Sequence, residues 1–135
     1  NQSYSQKGVI RGLHFQRPPF AQAKLVRVIK GKVLDVAVDI RKGSPTYGQH
    51  YSVLLTGDNH RQFFIPEGFA HGFVALEDNS IFTYKCSQFY HKEAEMSIRY
   101  NDPILNIDWG LDETPIMTEK DLCGVLFDQF NTPFE

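Results

Sequence analysis

Two histidines with distinctive neighbours are the residues of this chain best suited to chemistry. His14 lies in the segment RGLHFQ (11–16), and His71 ends the segment PEGFAH (66–71). Imidazole titrates near neutral pH, so either side chain could move a proton or bind a metal ion. Two strands of one small barrel would bring both rings into a shared cavity, and the sequence therefore predicts an active site there.

A metal site is the first hypothesis for paired histidines in a barrel, but the ligand set is incomplete. Cupin-type sites combine His-x-His and a later Glu on one hairpin with a further His, whereas Gln16 stands two residues after His14. We therefore expect no bound metal. The polar side chains that remain, including Lys24 and Tyr84, suit proton transfer beside an anion. A histidine can act as a base near neutral pH, and a tyrosine of pKa about 10 can return a proton.

The elements that must position these residues are short strands separated by Gly, Pro and Asn turns. The predicted strands are 8–16, 24–29, 33–40, 51–55, 62–65, 72–76, 81–87 and 96–100. This near-regular spacing, without a long helical period, predicts an all-β, cupin-like jelly roll, also called a double-stranded β-helix. Thr118, followed by an apolar stripe at Leu122, Val125 and Leu126, predicts a short C-terminal helix over one end of the barrel.

The segments 24–29 and 33–40 flank Lys30-Gly31-Lys32 and are the clearest predicted hairpin. In the second of these strands the even positions 34–40 are apolar, while Asp35 and Asp39 lie on the other face. That alternation predicts a half-buried strand whose aspartates face solvent.

Composition bounds the class of protein. With 135 residues the chain fits one domain spanning 1–135, and its net charge of −2 provides no general attraction to nucleic acid or to an anionic membrane. Two distant cysteines, Cys86 and Cys123, predict reduced, buried thiols rather than a disulfide framework. There is no apolar run long enough to cross a bilayer and no leader-like opening, so a cytoplasmic protein is expected.

Five segments of the chain carry a resemblance that covers nearly its whole length. RGLHFQ (11–16), KLVRVIKGKVLDVAVDIRKGSPTYG (24–48), FIPEGFAHGF (64–73), YKCSQFY (84–90) and EKD (119–121) closely resemble the dTDP-4-dehydrorhamnose 3,5-epimerase family. The resemblance implies a cupin-like jelly roll, usually a homodimer, that acts on dTDP-4-keto-6-deoxyglucose without a cofactor. It also implies a further segment before Asn1, which would supply an arginine and a glutamate for nucleotide binding.

The resemblance implies roles residue by residue. His14 matches the catalytic base, Asp121 its orienting carboxylate, Tyr84 the acid on the opposite face of the sugar, and Lys24 the cation beside the 4-oxo group. The substrate-binding positions that match are Asn1, Arg11, Gln16, His71, Tyr90, Glu95 and Lys120, with Tyr90 stacking on the thymine ring.

Several alternatives stay open at this point. A relative that inverts only carbon 3, a ketoisomerase and a non-catalytic sugar-nucleotide-binding barrel would carry similar residues. His14 and His71 could be core histidines, and Tyr84 could serve packing alone. The three other histidines, His50, His60 and His91, are predicted to be surface residues.

Arg11 and His14 present a geometric difficulty. An ideal strand places residues three apart on opposite faces. Either a bulge at Gly12 brings both side chains to the cavity, or Arg11 acts from its rim.

Overall fold

Nine strands form two antiparallel sheets in the computed structural model, which describes residues 1–135. The strands are β1 (Gln2–Ser5), β2 (Ile10–Gln16), β3 (Lys24–Lys30), β4 (Lys32–Asp39), β5 (His50–Thr56), β6 (Gln62–Ile65), β7 (Phe69–Ala75), β8 (Ser80–Cys86) and β9 (Glu95–Ser97). One sheet has the order β1-β8-β3-β6 and the other the order β5-β4-β7-β2-β9. The predicted all-β jelly roll is confirmed, and strand β1 is an addition that lies before the first predicted strand.

The predicted hairpin over Lys30-Gly31-Lys32 is wrong. β3 pairs with β6 and β8 in the four-stranded sheet, whereas β4 pairs with β5 and β7 in the five-stranded sheet. Gly31 has φ +90° and lies against Ser80, where a side chain would clash. The turn therefore connects the two sheets, because β3 and β4 hydrogen-bond with strands of different sheets and not with each other.

Strand β4 is covered on both faces, which overturns the prediction that one of its faces is solvated. Val33 and Ala37 pack between the sheets, while Val36 and Val38 pack under a C-terminal segment that includes Trp109 and Phe130. The face of β4 expected to meet water is thus the interior of the barrel. Asp35 is 0% exposed and Asp39 is 1% exposed. A strand covered on both sides reads as a nearly continuous apolar run, and VLDVAVDI has that character.

The C-terminal helix is shorter than its predicted apolar stripe. α1 spans Glu119–Leu122, and the hydroxyl of Thr118 accepts a hydrogen bond from the Asp121 N–H at 3.3 Å, so the predicted cap is confirmed. Leu122 and Val125 are 48% and 39% exposed, so they do not form a buried stripe. The helix ends before Val125 because that residue bridges Ile98 instead. The buried residue of this helix is Asp121.

The remaining segments contain two short 3-10 helices, at Lys92–Ala94 and Phe127–Gln129. Both cysteines are free, but only Cys86 is half-buried and Cys123 is exposed, so the prediction of two buried thiols is wrong. Cys123 lies just past the end of α1, where no second layer covers it. None of the helices is long and apolar enough to cross a membrane.

Asp39 holds together the loop that follows β4. Its carboxylate accepts hydrogen bonds from the backbone N–H and guanidinium of Arg41 and from the hydroxyls of Ser44 and Thr46. Burial alone would raise the pKa of Asp39, but these hydrogen bonds together hold that pKa well below its usual range. The carboxylate is therefore stabilised in its charged form in the folded protein.

Substituting this carboxylate should destabilise the fold in a pH-dependent way. Because the pKa of Asp39 is depressed by folding, its contribution is complete above about pH 5 and is lost as the pH falls below about 4. We expect Asp39→Asn to lower the free energy of unfolding at pH 7 by on the order of 2 kcal/mol. Urea denaturation at several pH values measures this. The difference in the free energy of unfolding between Asp39→Asn and the wild type should become smaller toward pH 3. The control Asp58→Asn, in an exposed turn, should have the same free energy of unfolding as the wild type at each pH.

Candidate active site

A cavity of about 870 Å³ opens between the two sheets. Of the predicted site residues, those that line it are Asn1, His14, Gln16, Lys24, Tyr84, Tyr90 and Glu95. They come from β2 and β9 of one sheet, from β3 and β8 of the other, from the segment after β8, and from the residue before β1. Arg11, His71, Lys120 and Asp121 do not line this cavity but lie behind it or at its rim.

His14 is held by Asp121 of α1. The Nε2 atom of His14 lies 2.5 Å from Oδ1 of Asp121, and the second carboxylate oxygen accepts a hydrogen bond from the Gly12 N–H at 3.2 Å. The His14 side chain is 27% exposed and that of Asp121 is 4% exposed. With Nε2 bonded to the carboxylate, Nδ1 is the ring nitrogen without an intramolecular hydrogen bond. The carboxylate of Asp121 thus fixes the tautomer and the orientation of the His14 ring, as expected for a base.

The charge of Asp121 is maintained by its partners. Burial would raise the pKa of Asp121, but the hydrogen bond and charge of His14 and the bond from the Gly12 N–H together lower it. An ionised carboxylate against one ring nitrogen stabilises the imidazolium that forms when the other nitrogen takes a proton. His14 is therefore suited to proton abstraction.

A second histidine–aspartate pair lies directly beside the first. His71 is opposite His14 in the β2–β7 ladder, and its Nε2 lies 2.8 Å from Oδ2 of Asp35, with both residues buried. Burial raises the pKa of Asp35 and lowers the pKa of His71. His71 is consequently a neutral ring with a fixed orientation. The chain shows no group of three or more His, Cys, Asp or Glu side chains that could hold a metal ion.

Asp35 is the site residue that sequence reasoning missed. The alternation of β4 assigned it to solvent, while the tertiary structure places it behind the cavity as the partner of His71. The available signal was the apolar character of both faces of this strand, in which Ala37 shares the face of the two aspartates.

Lys24, the first residue of β3, extends its amine into the cavity without a hydrogen bond or ion pair to another residue. Burial lowers the pKa of Lys24, while nearby Cys86 and Asp35 act in the opposite direction. A partly desolvated amine without a protein partner is suited to binding a negatively charged oxygen.

Tyr84 lines the cavity from β8, the strand next to the one that carries Lys24, and it lies on the sheet opposite His14. Burial and the neighbouring Cys86 raise the pKa of its half-buried hydroxyl, while the charge of Arg11 lowers it. Tyr84 also packs against Phe82, with ring centroids 5.7 Å apart, so packing and cavity lining coexist. The hydroxyl stays protonated near neutral pH and can donate its proton.

Arg11 occupies the rim, as one of the two expected arrangements required. The β2–β7 register shifts between Arg11 and His14, where Gly12 has φ +123° and lies against the backbone of Gly72. The strand is irregular at Gly12, as the first alternative required, but Arg11 does not line the cavity and remains exposed, with its charge acting on Tyr84.

The far end of the cavity is formed by aromatic and charged residues. Tyr90 is 59% exposed, and its neighbour Phe89, also on the cavity wall, is 85% exposed. Glu95 forms an ion pair with Lys120. This end offers exposed ring faces for a planar ligand.

The three histidines predicted at the surface differ in exposure. His60 is exposed, but His50 and His91 are half-buried. His91 stacks on Phe20, with ring centroids 3.7 Å apart, so its surface assignment is wrong. A contact between two loops covers it.

The family model and the curated relatives that match this chain carry the same description. Residues 1–129 match the model of the dTDP-4-dehydrorhamnose 3,5-epimerase family. The enzyme of that name from Methanothermobacter thermautotrophicus is 54% identical over 123 residues, which are 90% of this chain and 66% of that protein. The chain therefore spans about two thirds of the length of this relative.

Solved structures agree in fold. The dTDP-4-dehydrorhamnose 3,5-epimerase from Elizabethkingia anophelis is 48% identical and superposes with a TM-score of 0.95 over 98% of this chain and 73% of that one. A dTDP-6-deoxy-D-glucose-3,5-epimerase from Legionella pneumophila, solved with dTDP-4-keto-L-rhamnose, is 53% identical, with a TM-score of 0.93 over 97% of this chain and 69% of that one.

Proposed function

Since the chain belongs to the dTDP-4-dehydrorhamnose 3,5-epimerase family, we propose that it inverts carbons 3 and 5 of dTDP-4-keto-6-deoxy-D-glucose to give dTDP-4-keto-L-rhamnose, a step toward dTDP-L-rhamnose. The observation that carries the proposal is the placement of two proton carriers on opposing sheets. His14 stands on β2 of the five-stranded sheet and Tyr84 on β8 of the four-stranded sheet, and both line one cavity. Inversion requires that a proton leave one face of the sugar and return to the other.

The chemistry depends on the 4-keto group. A ketone at carbon 4 acidifies the hydrogens on carbons 3 and 5, and removing either builds negative charge on the carbonyl oxygen. His14, oriented by Asp121, takes the proton, while the Lys24 amine stabilises the developing oxyanion. Tyr84 then delivers a proton to the opposite face of the carbon. No cofactor is assigned to the reaction.

The remaining cavity residues are proposed to bind the nucleotide sugar. The guanidinium of Arg11 at the rim suits the diphosphate, because its fork can bind phosphate oxygens at two points. Tyr90 is proposed to stack on the thymine ring, and His71, kept neutral by burial and oriented by Asp35, to contact the sugar. Asn1, Glu95 and Lys120 complete the proposed binding set. Gln16, which the family resemblance also places among the binding positions, lines the cavity as well.

The quaternary structure and cellular location are also proposals. The family resemblance supports a homodimer that works in the cytoplasm, with a small sugar nucleotide as its ligand. The net charge of −2 gives no support to nucleic acid as a partner.

Incorporation of solvent deuterium, read by NMR on dTDP-4-keto-6-deoxy-D-glucose in heavy water, tests the proposed reaction. Label at carbons 3 and 5 is expected. Label at carbon 3 alone would indicate an enzyme that inverts only that carbon. Formation of a 3-keto product would indicate a ketoisomerase. Binding of the substrate without incorporation of label would indicate a non-catalytic sugar-nucleotide-binding barrel.

Replacing the phenol of Tyr84 should separate proton removal from inversion. In Tyr84→Phe, His14 can still abstract a proton, but the opposite face lacks its donor. We expect net inversion to fall by about 100-fold while label still enters at one centre. The product distribution and label position, read together by NMR, measure this. Tyr51→Phe, an exposed position on β5, is the matched control and should behave as wild type.

A further inference from the structure

Gln16, at the end of β2, has its side-chain amide fully engaged with backbone groups of the protein. Its Nε2 donates to the carbonyl oxygens of Phe20, at 2.7 Å, and Phe89, at 3.2 Å. Its Oε1 accepts from the His91 N–H at 2.8 Å. The residue is only 3% exposed. Both amide hydrogens and one lone pair are thus committed, which leaves little capacity for a direct bond to a ligand.

These bonds join two separate loops. One follows β2 and contains Phe20, and the other follows β8 and contains Phe89, Tyr90 and His91. The stacking of His91 on Phe20, at 3.7 Å between centroids, is the second link between them. Gln16, which lines the cavity, and this stack, which does not, together form a bridge between the two loops.

The other contacts near Tyr90 are mostly local to its own segment: the Phe89 N–H donates to the Gln88 side chain, and the His91 carbonyl oxygen accepts from the Ala94 and Glu95 N–H groups. The rings of Phe89 and Tyr90 are 85% and 59% exposed, so neither is anchored by packing in a core. Gln22 binds the Gln88 carbonyl oxygen at 2.7 Å, one residue before Phe89. The backbone on both sides of Tyr90, at Phe89 O and His91 N, is bonded to Gln16 alone.

We propose that Gln16 is a positioning residue that sets nucleotide affinity by fixing the backbone on either side of Tyr90, rather than a residue that contacts the substrate. The inference rests on the proposed function only in taking Tyr90 as the residue that stacks on the nucleotide base. Without the amide, the loop could adopt many positions, and ordering it would oppose ligand binding. The effect falls on binding, because His14, Lys24 and Tyr84 lie on strands β2, β3 and β8 rather than on the loop that carries Tyr90.

Calorimetric titration with dTDP alone tests this in four proteins: wild type, Gln16→Leu, Tyr90→Ala and the double variant. We expect Gln16→Leu to raise the Kd for dTDP about tenfold, equivalent to about 1.4 kcal/mol, and to leave kcat at saturating substrate within about twofold. In the Tyr90→Ala background the same change should have no further effect, since the ring that it positions is gone. Gln62→Leu, an exposed glutamine on β6 without a hydrogen bond, is the matched control and should bind as wild type does.

Two results would overturn the proposal. One is additive loss in the double variant, which would mean that Gln16 contacts the nucleotide itself, and the other is a Tyr90→Ala protein that binds dTDP normally. If Gln16→Leu does not fold, hydrogen exchange in the wild type decides. The His91 amide should be protected in this exposed loop, and exchange at the rate of an unstructured peptide would refute the bond. Binding of dTDP needs no turnover. If the wild type incorporates no deuterium, the proposed reaction is refuted, but the binding experiment still tests the role of Gln16.

Discussion

Substituting His14 with alanine should reduce incorporation of solvent deuterium into the 4-keto sugar by about 1,000-fold or more, at both carbon 3 and carbon 5. The imidazole is the only histidine ring that lines the cavity, and its Nε2 is already bonded to Asp121 at 2.5 Å. Without it, no other oriented base faces that side of the sugar. NMR of the substrate in heavy water measures the loss, since label cannot enter before a proton leaves.

The nucleotide should still bind to this variant. Its base and diphosphate are proposed to contact Tyr90 and Arg11, which the substitution does not touch, so the Kd for dTDP should change by less than about threefold. His60→Ala, at an exposed turn, is the control and should exchange label normally. Exchange at the wild-type rate in His14→Ala would show that the base is another residue.

Lys24→Met should lower the rate of proton exchange by about 100- to 1,000-fold. Methionine keeps much of the side-chain length but removes the charge that is proposed to stabilise the oxyanion at carbon 4. The loss should appear in kcat, because that charge interacts most strongly with the transition state. Steady-state kinetics combined with the deuterium assay separates this from weaker binding.

Stability provides the second readout for Lys24. The amine has no hydrogen bond or ion pair to another residue, and burial already opposes its charge. Removing it should therefore leave the melting temperature unchanged or raise it, because a desolvated cation is lost without stranding a bonded partner. Lys30→Met, at the exposed end of β3, is the control. A slow variant that also melts well below the wild type would indicate a structural role, and a variant with normal kcat would contradict the proposal.

The two histidine–aspartate pairs of the site join residues that are far apart in the chain. His14 and Asp121 are 107 residues apart, and His71 and Asp35 are 36 apart. For the first pair, family resemblance to EKD (119–121) indicated the partner, and the structure places it at the imidazole. For the second pair no motif indicated the partner, and the alternation of β4 predicted that Asp35 faces solvent. Strand periodicity distinguishes two faces but does not say what covers each of them.

The sequence by itself determined the local features of this protein. Turn residues and apolar alternation located most of the strands and the short helix after Thr118, because each depends on backbone preferences of near neighbours. The types and order of the reactive side chains also indicated proton transfer and the family. These features require no knowledge of which distant segments meet.

Only the tertiary structure decided how those parts face each other. It assigned β3 and β4 to different sheets, turned Asp35 inward to His71, and showed that the amide of Gln16 is committed to two loops that follow different strands. Strand partners and buried polar contacts follow from the packing of the whole chain, in which each surface is covered by segments far away in sequence. The same strand pattern is compatible with several such arrangements until that long-range packing selects one.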